Sequence, residues 1–183
     1  MENTFVVTGK CRFSYVNLFQ PRKTEDGSEP KYSLCLLIPK TDKKTVNAIH
    51  AAIEAAAKKG KAKFGDKFPG KPRSPLHDGD ETKDNGDEYG PECKGCWVLN
   101  TSSRTKPQVV DRDREDILDT TEVYSGCYGR ASLNFYPFMV PSNKGIACGL
   151  QNVQKLADGE PLGGGRTRAS DDFADDFDDD DDI

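Results

Sequence analysis

The sequence has few of the residues and motifs on which enzyme active sites depend. Its 183 residues include only two histidines, His50 and His77, although histidine is the side chain most often used in acid–base catalysis. It contains neither the glycine-rich loop ending in Gly-Lys-Ser/Thr that binds phosphates nor the Gly-x-Ser-x-Gly turn of hydrolases. We therefore expect a protein that is not an enzyme and uses no cofactor.

Long apolar runs and a secretory signal are also absent. No stretch approaches the roughly 18 consecutive apolar residues of a membrane-spanning helix. The opening residues, MENTFVVTGK, lack the basic and apolar regions of a signal peptide. We expect a soluble, cytoplasmic protein that has no membrane partner.

Cysteine is too sparse for a disulfide-stabilised fold. The six cysteines lie mostly in apolar segments, which indicates reduced thiols. Cys93 and Cys96 form a Cys-x-x-Cys pair that could supply half of a zinc site, but the chain has no second pair and no His-x-x-x-His. We expect no metal site, with zinc binding and a redox role as the alternatives.

Most of the remaining sequence has the composition of β-strands. The predicted strands are residues 4–19, 31–40, 96–103, 107–113, 123–140 and 144–157. Gly9 predicts a bend or bulge in the first strand. Apolar residues at helical spacing predict one substantial helix from Thr41 or Asp42 to Gly60. Five or so strands, a helix after the second and a long insertion predict a mainly β protein with the five-stranded Greek-key barrel of an OB-fold.

Composition also divides the chain into three parts. Residues 1–157 hold the predicted OB-fold domain, residues 158–170 are predicted to be a flexible linker, and residues 171–183 form an acidic tail. The tail contains nine aspartates and no basic residue, so its self-repulsion predicts disorder. Without those nine negative charges the formal net charge of −5 becomes +4. A basic body tethered to an acidic tail indicates a polyanionic ligand that the tail imitates.

Basic and aromatic residues occur together in two regions that could bind a nucleic-acid strand. Basic groups neutralise phosphates, and aromatic faces stack on unpaired bases. One region is residues 58–73, where Phe64 and Phe68 are either stacking or core residues; the other is spread over the predicted strands. Alternation along the first strand places Tyr15 on the face of Phe13, opposite Arg12. The candidate binding residues are Lys10, Arg12, Tyr15, Arg22, Lys31, Tyr32, Lys63, Lys67, Lys71, Arg73, Trp97, Arg104, Lys106, Tyr124, Tyr128 and Arg130.

The tail also contains two phenylalanines, which favour a recognition role over a purely solubilising one. Phe173 and Phe177 are four residues apart and would share a face if the tail became helical on a partner. A tail that serves only for solubility is the alternative. The predicted partner-binding residues are Phe173, Phe177, Asp178, Asp179, Asp180, Asp181, Asp182 and Ile183.

A second acidic segment leaves two other function classes open. Residues 78–92 contain seven carboxylates. They could hold magnesium in a nuclease or another DNA-processing enzyme, with Asp111 and Asp113 as further ligands, although no spacing supports a metal site. A DNA-mimicking inhibitor that binds a basic protein is the third class.

Taken together, these segments resemble a family of bacteriophage-encoded single-stranded-DNA-binding proteins. The similarity runs through YSLCLLIPK, PLHDGD, GPECKGCWVLNTSSRTKPQVVD, VYSGCYGRASLNFYPF and KGIACGLQNVQKLADGEPLGG. It implies an OB-fold related to the single-stranded-DNA-binding proteins of T7-like phages, with an acidic tail used in replication and recombination. One departure is the terminal Ile183, where bacterial and T7-like tails usually have an aromatic residue at or next to the end.

The resemblance implies a protein that coats and protects single-stranded DNA with little sequence preference. Its expected setting is phage DNA replication, recombination and repair in the cytoplasm of the host bacterium. The expected partners are single-stranded DNA and, through the tail, replication and recombination proteins of the phage or host. A homodimer is left open.

Overall fold

The computed structural model describes residues 3–23, 29–83, 85–141 and 143–162. Within them the chain is mainly β, as the sequence predicts. The elements are β1 (Phe5–Val7), β2 (Cys11–Arg22), β3 (Lys31–Pro39), α1 (Lys43–Phe64), β4 (Leu76–Asp78), β5 (Cys96–Ser103), β6 (Gln108–Val110), β7 (Tyr128–Val140) and β8 (Asn143–Ala157). Single 3-10 turns occupy Gly65–Lys67, Pro91–Cys93 and Thr120–Glu122. The predicted tail and residues 163–170 of the predicted linker lie outside the described residues.

Five strands pair with one another in a closed circuit. The pairs β2–β3, β3–β5, β7–β8 and β2–β7 are antiparallel. β5 and β8 complete the circuit through one parallel pair, Ser102 opposite Gly149. β1, β4 and β6 are short additions along β7, β5 and β8. This order, with α1 after the second strand of the circuit, is that of an OB-like fold.

The main hydrophobic core lies inside this circuit. Each of its five strands contributes a side chain that is no more than 1 % exposed: Phe13, Leu36, Leu99, Leu133 and Val153. Burying one such side chain stabilises the fold by about 1.5–3 kcal/mol. Because side chains alternate along a strand, the residues between these core positions face away from the core.

The helix α1 begins as predicted and ends later than predicted. The carboxylate of Asp42 caps its first turn by accepting hydrogen bonds from the Thr45 backbone N–H (3.2 Å) and hydroxyl (2.6 Å). The predicted end at Gly60 is wrong, because Gly60 lies inside the helix and faces Phe68. A Cβ at Gly60 would lie 2.6 Å from the Phe68 ring, so this glycine makes room for a core side chain. The helix ends at Gly65, whose φ is +67°.

The strand β2 contains a bulge that overturns one predicted side-chain direction. Its register with β3 shifts between Ser14 and Asn17, and Tyr15 has a φ of +47°. Ser14 is buried, whereas Tyr15 is 67 % exposed. The prediction that Tyr15 shares the face of Phe13 was wrong, because the bulge interrupts the alternation.

Two other strands also differ from the prediction. The predicted strand at residues 123–140 begins only at Tyr128, and the three-residue strand β4 was not predicted. No helix in the described ranges has the length and apolar character needed to cross a membrane.

Candidate nucleic-acid interface

The side of β2, β3 and β5 that faces away from the core forms one continuous surface. Ser14 of β2 lies opposite Cys35 of β3, which lies opposite Asn100 of β5. Residues directly opposite one another in antiparallel strands share a face. We call this surface the outer face; it comprises Arg12, Ser14, Asn17, Ser33, Cys35, Leu37, Val98, Asn100 and Ser102.

One end of the outer face is covered by a second, smaller apolar cluster. Cys35, Leu37, Cys93 and Val98 are all buried in it. Burial raises the pKa of the Cys35 thiol to about 12 and also raises the pKa of Cys93. These thiols are therefore protonated near neutral pH, in which form they are poor metal ligands. In the described part of the chain, no three His, Cys, Asp or Glu side chains are placed to hold a metal ion.

A cavity of about 660 Å³ opens over the outer face and reaches from Ser14 and Asn100 to the four residues of this apolar cluster. Its lining includes Cys35 and Asn100 from the sheet and the aromatic rings of Tyr15, Tyr89 and Trp97. Its volume is within the range of ligand-binding pockets, about 300–1,000 Å³. The glutamates Glu81, Glu92 and the aspartate Asp78 also line it. The lining thus has three carboxylates and one cation, Lys83, so it suits an uncharged base better than a phosphate.

Lys40 forms an ion pair with two aspartates at the start of the acidic insertion. The Nζ of Lys40 lies 2.6 Å from Asp78 Oδ1 and 2.7 Å from Asp80 Oδ2. Asp80 also accepts a hydrogen bond from the Gly95 backbone N–H at 3.0 Å. The hydrogen bonds from Lys40 lower the pKa of both carboxyl groups. These two aspartates therefore position the insertion along the cavity.

Basic residues collect at the far end of the outer face. Arg22 of β2 lies directly opposite Lys31 of β3. Like charges in opposite positions destabilise a sheet, and an anion placed between them offsets that repulsion. Arg104 follows Ser103, the residue opposite Tyr32, and so lies at the same end. Lys106 is exposed two residues later.

The covered end of the outer face carries a second basic group built around one tyrosine. Lys10 Nζ lies 5.0 Å and Arg12 Cζ 5.7 Å from the centroid of the Tyr128 ring. Both distances are within the range of cation–π interactions. The Arg12 guanidinium also donates to the backbone carbonyls of Gly126 (3.2 Å) and Glu160 (2.6 Å).

Three predicted aromatic candidates do not lie on the outer face. Trp97 is opposite Ile38 and packs edge-to-face on His50 of α1, with ring centroids 5.4 Å apart, and it also contributes to the lining of the cavity. Tyr32 lies at an even-numbered position of β3, like the core residues Leu34 and Leu36, whereas Cys35 is on the outer face. Tyr32 therefore points to the core side of the sheet at the end of the strand. The Tyr124 hydroxyl is hydrogen-bonded to Gly159.

The remaining basic candidates belong to other parts of the surface. Arg130 donates from Nε to Gln154 Oε1 at 2.6 Å, on the pair β7–β8. Lys63, Lys67, Lys71 and Arg73 are exposed at and beyond the end of α1. Within that region Phe68 is only 3 % exposed, so it is a core residue. The structure thus divides the candidates among the outer face, the β7–β8 surface and the helix end.

Several residues of the interface escaped the sequence analysis. Tyr89 and His77 line the cavity, and Asn17 and Asn100 lie on the outer face. Tyr89 reaches the cavity only because the insertion folds back over the sheet. A loop whose sequence has no hydrophobic periodicity does not indicate how it folds. The alternation of side chains along β3 could have placed Ser33 on the face that points away from the core. Which residues of β2 and β5 lie beside it depends on the strand register.

The chain is similar in sequence and structure to proteins of bacteriophages. A family model for the single-stranded-DNA-binding protein of Enterobacter phage Enc34 matches residues 4–183. Putative protein p50 of Acyrthosiphon pisum secondary endosymbiont phage 1 is 29% identical over 171 residues, which are 90% of this chain and 89% of that protein. The structure of the Enc34 protein in complex with single-stranded DNA has a TM-score of 0.75 and 30% identity, covering 87% of this chain and 90% of that one.

A more distant likeness supports the fold alone. The structure of gp2.5, a single-stranded-DNA-binding protein of bacteriophage T7, has a TM-score of 0.60 and 16% identity. The match covers 98% of this chain and 97% of that one.

Proposed function

The chain belongs to the family of the phage Enc34 single-stranded-DNA-binding protein, and from that premise we propose that it binds single-stranded DNA along the outer face. The observation that carries this proposal is the cavity over β2, β3 and β5, whose rim holds the exposed ring of Tyr15. Aromatic rings stack on bases of any identity. Binding should therefore have little sequence preference.

The charges at the two ends of the outer face suggest where the phosphates lie. Arg22 and Lys31 stand at one end, and Lys10 and Arg12 at the other. The β2 segment between them spans roughly 30 Å, at about 3.3 Å per residue. A strand laid along it would place bases over the cavity and phosphates near the cations, within the site size of about 4–16 nucleotides found for OB-folds.

The finer role we propose is that the protein coats and protects single-stranded DNA during phage replication, recombination and repair. It would act in the cytoplasm of the host bacterium. The acidic tail, residues 171–183, would compete with DNA for the basic body and would bind replication and recombination proteins. The nine aspartates of the tail and the +4 charge of the remaining chain support this competition.

Catalysis by the acidic insertion has little support. Asp78 and Asp80 are both paired with Lys40, so a magnesium ion would have to displace a cation that already holds them. The family model and the solved structures reported above are named for single-stranded-DNA binding.

A binding titration tests the proposed function. Fluorescently labelled oligo(dT) and a duplex of equal length are titrated with the protein at several salt concentrations. We expect tighter binding of the single strand, because stacking requires unpaired bases, and a slope of log K against log salt of about −0.7 per neutralised phosphate. Equal affinity for the duplex, or affinity that does not change with salt, would contradict the proposal.

A further inference from the structure

The residues that follow β8 are attached to the body of the protein. The Tyr124 hydroxyl accepts a hydrogen bond from the Gly159 backbone N–H at 3.1 Å and lies 3.0 Å from the Gly159 carbonyl. The Leu162 N–H donates to the Ser125 carbonyl at 2.8 Å. Residues 158–162, which the sequence analysis assigned to a flexible linker, thus extend the folded domain. We call them the C-terminal strap.

The strap fits closely against the surface beneath it. A Cβ at Gly126 would lie 2.0 Å from the Glu160 carbonyl oxygen, and a Cβ at Gly159 would lie 2.7 Å from the Tyr128 ring. Both distances are shorter than any real carbon contact, so only glycine fits at either position. Such a fit at two positions indicates a specific docking arrangement.

The strap ends on the outer face itself. The side chain of Leu162 packs against the second apolar cluster, which contains Cys35, Leu37, Cys93 and Val98. All four of these residues also line the cavity. Leu162 therefore covers apolar surface next to the place where we propose that bases bind.

Arg12 contacts the strap and also belongs to the proposed DNA site. Arg12 Nη2 donates to the Glu160 carbonyl at 2.6 Å, and Arg12 Nε donates to the Gly126 carbonyl. A phosphate oxygen carries a negative charge, whereas the Glu160 carbonyl is neutral, and the guanidinium fork matches the geometry of a phosphate. A phosphate that reaches Arg12 would therefore displace the neutral carbonyl of Glu160.

We propose that the C-terminal strap is a latch that is closed in the DNA-free protein and opens when single-stranded DNA binds at the Arg12 end of the outer face. This inference rests on the proposed function. Opening breaks the Arg12–Glu160 hydrogen bond and withdraws Leu162 from the apolar cluster. Residues 163–183, which include the acidic tail, follow Leu162 in the chain. Opening of the latch by DNA would therefore change the point at which this C-terminal segment leaves the folded domain.

Amide hydrogen exchange of the full-length protein tests the latch. The amides of Gly159 and Leu162 report on the closed strap because both donate hydrogen bonds to the body. Saturation with oligo(dT) should speed their exchange by roughly two- to tenfold, the factor expected for loss of one hydrogen bond. The Phe135 amide, which donates to the Thr4 carbonyl, is the internal reference and should not change.

The outcomes separate the latch from the proposed function. If the labelled oligonucleotide binds but the Gly159 and Leu162 amides exchange at the same rate or more slowly, the latch is wrong and the proposed function stands. If no oligonucleotide binds in the same samples, both are wrong.

A variant provides a second test. Tyr124→Phe removes the hydroxyl that holds Gly159 but keeps the ring against the core. It should speed Gly159 exchange without DNA and tighten oligo(dT) binding by roughly two- to tenfold, because less of the binding energy is spent in opening the strap. Tyr136→Phe, on β7, is the matched control and should change neither. Faster exchange with unaltered or weaker DNA affinity in Tyr124→Phe would overturn the latch.

Discussion

Ser14 and Tyr15 are neighbours in β2, but Ser14 is 6 % exposed and Tyr15 is 67 % exposed. The bulge between Ser14 and Asn17 causes this difference and turns the Tyr15 ring to the rim of the cavity. A non-glycine residue with φ of +47° is uncommon, and backbone strain of this kind concentrates at functional sites. The ring is thus exposed where we propose that a base stacks.

Replacing Tyr15 by alanine should weaken single-stranded-DNA binding. Loss of one stacking contact costs about 1–3 kcal/mol, which corresponds to a roughly 5- to 150-fold rise in Kd. Tyr136→Ala is the matched control, because Tyr136 is 43 % exposed on β7 and does not line the cavity. Fluorescence anisotropy with labelled oligo(dT) measures both. Equal losses in the two variants would show that Tyr15 has no special role.

Removing the opposed pair Arg22 and Lys31 should weaken binding and flatten its salt dependence. If each contacts one phosphate, the double alanine variant should reduce the slope of log K against log salt by about 1.4. The variant with Lys63 and Lys67 replaced by alanine loses the same charge from the helix end. It should bind single-stranded DNA nearly normally. A larger loss of affinity in this variant than in the Arg22 and Lys31 variant would indicate that the DNA site lies along residues 58–73.

The attachment of the insertion through Lys40 should depend on pH. Hydrogen bonds from Lys40 lower the pKa of Asp78 and Asp80, so their stabilising effect is complete above the ordinary aspartate pKa of about 4 and is lost as pH falls through the lowered values. Lys40→Met should therefore lower Tm near neutral pH, and the difference from the parent protein should shrink toward pH 3. Lys144→Met, exposed in β8, is the control for loss of a lysine charge. A Tm difference that is the same at all pH values would rule out this ion pair as its source.

Deleting residues 171–183 should tighten binding to oligo(dT) at low salt. A flexibly tethered acidic segment competes at roughly millimolar effective concentration, and added salt should reduce the gain by screening. Phe173→Ala with Phe177→Ala should leave DNA affinity nearly unchanged and abolish capture of replication and recombination proteins. If the deletion alters neither DNA affinity nor partner capture, the tail serves only for solubility.

The parts of the fold that depend on local patterns could be predicted from the sequence. Strand composition located β2, β3, β5, β7 and β8, and helical spacing located α1 with a predicted start at Thr41 or Asp42, of which Asp42 is the cap. The errors arose where a distant residue decides the local structure. Gly60 looked like a helix end but accommodates Phe68, and the three-residue strand β4 exists only because it pairs with β5.

The candidate site was less predictable for the same reason. The sequence marked Tyr15 and Arg12 as candidates because of their chemical types, but it could not separate them from Trp97, which packs on His50. The outer face exists only once β2, β3 and β5 are in register, and its cavity needs the folded insertion. The strap was predicted to be a linker because its glycines suggest flexibility, whereas Gly159 allows close packing on Tyr128.

Photo-cross-linking tests the central claim, that single-stranded DNA binds along the outer face, most directly. Oligo(dT) in which single thymines are replaced by 5-iodouracil is bound at low salt, irradiated and mapped by mass spectrometry. Cross-links to Tyr15 and Tyr89, competed by unlabelled oligo(dT) and not by duplex, are the expected result. Cross-links confined to residues 58–73 or to the β7–β8 surface, with none on β2, β3, β5 or the insertion, would contradict the claim.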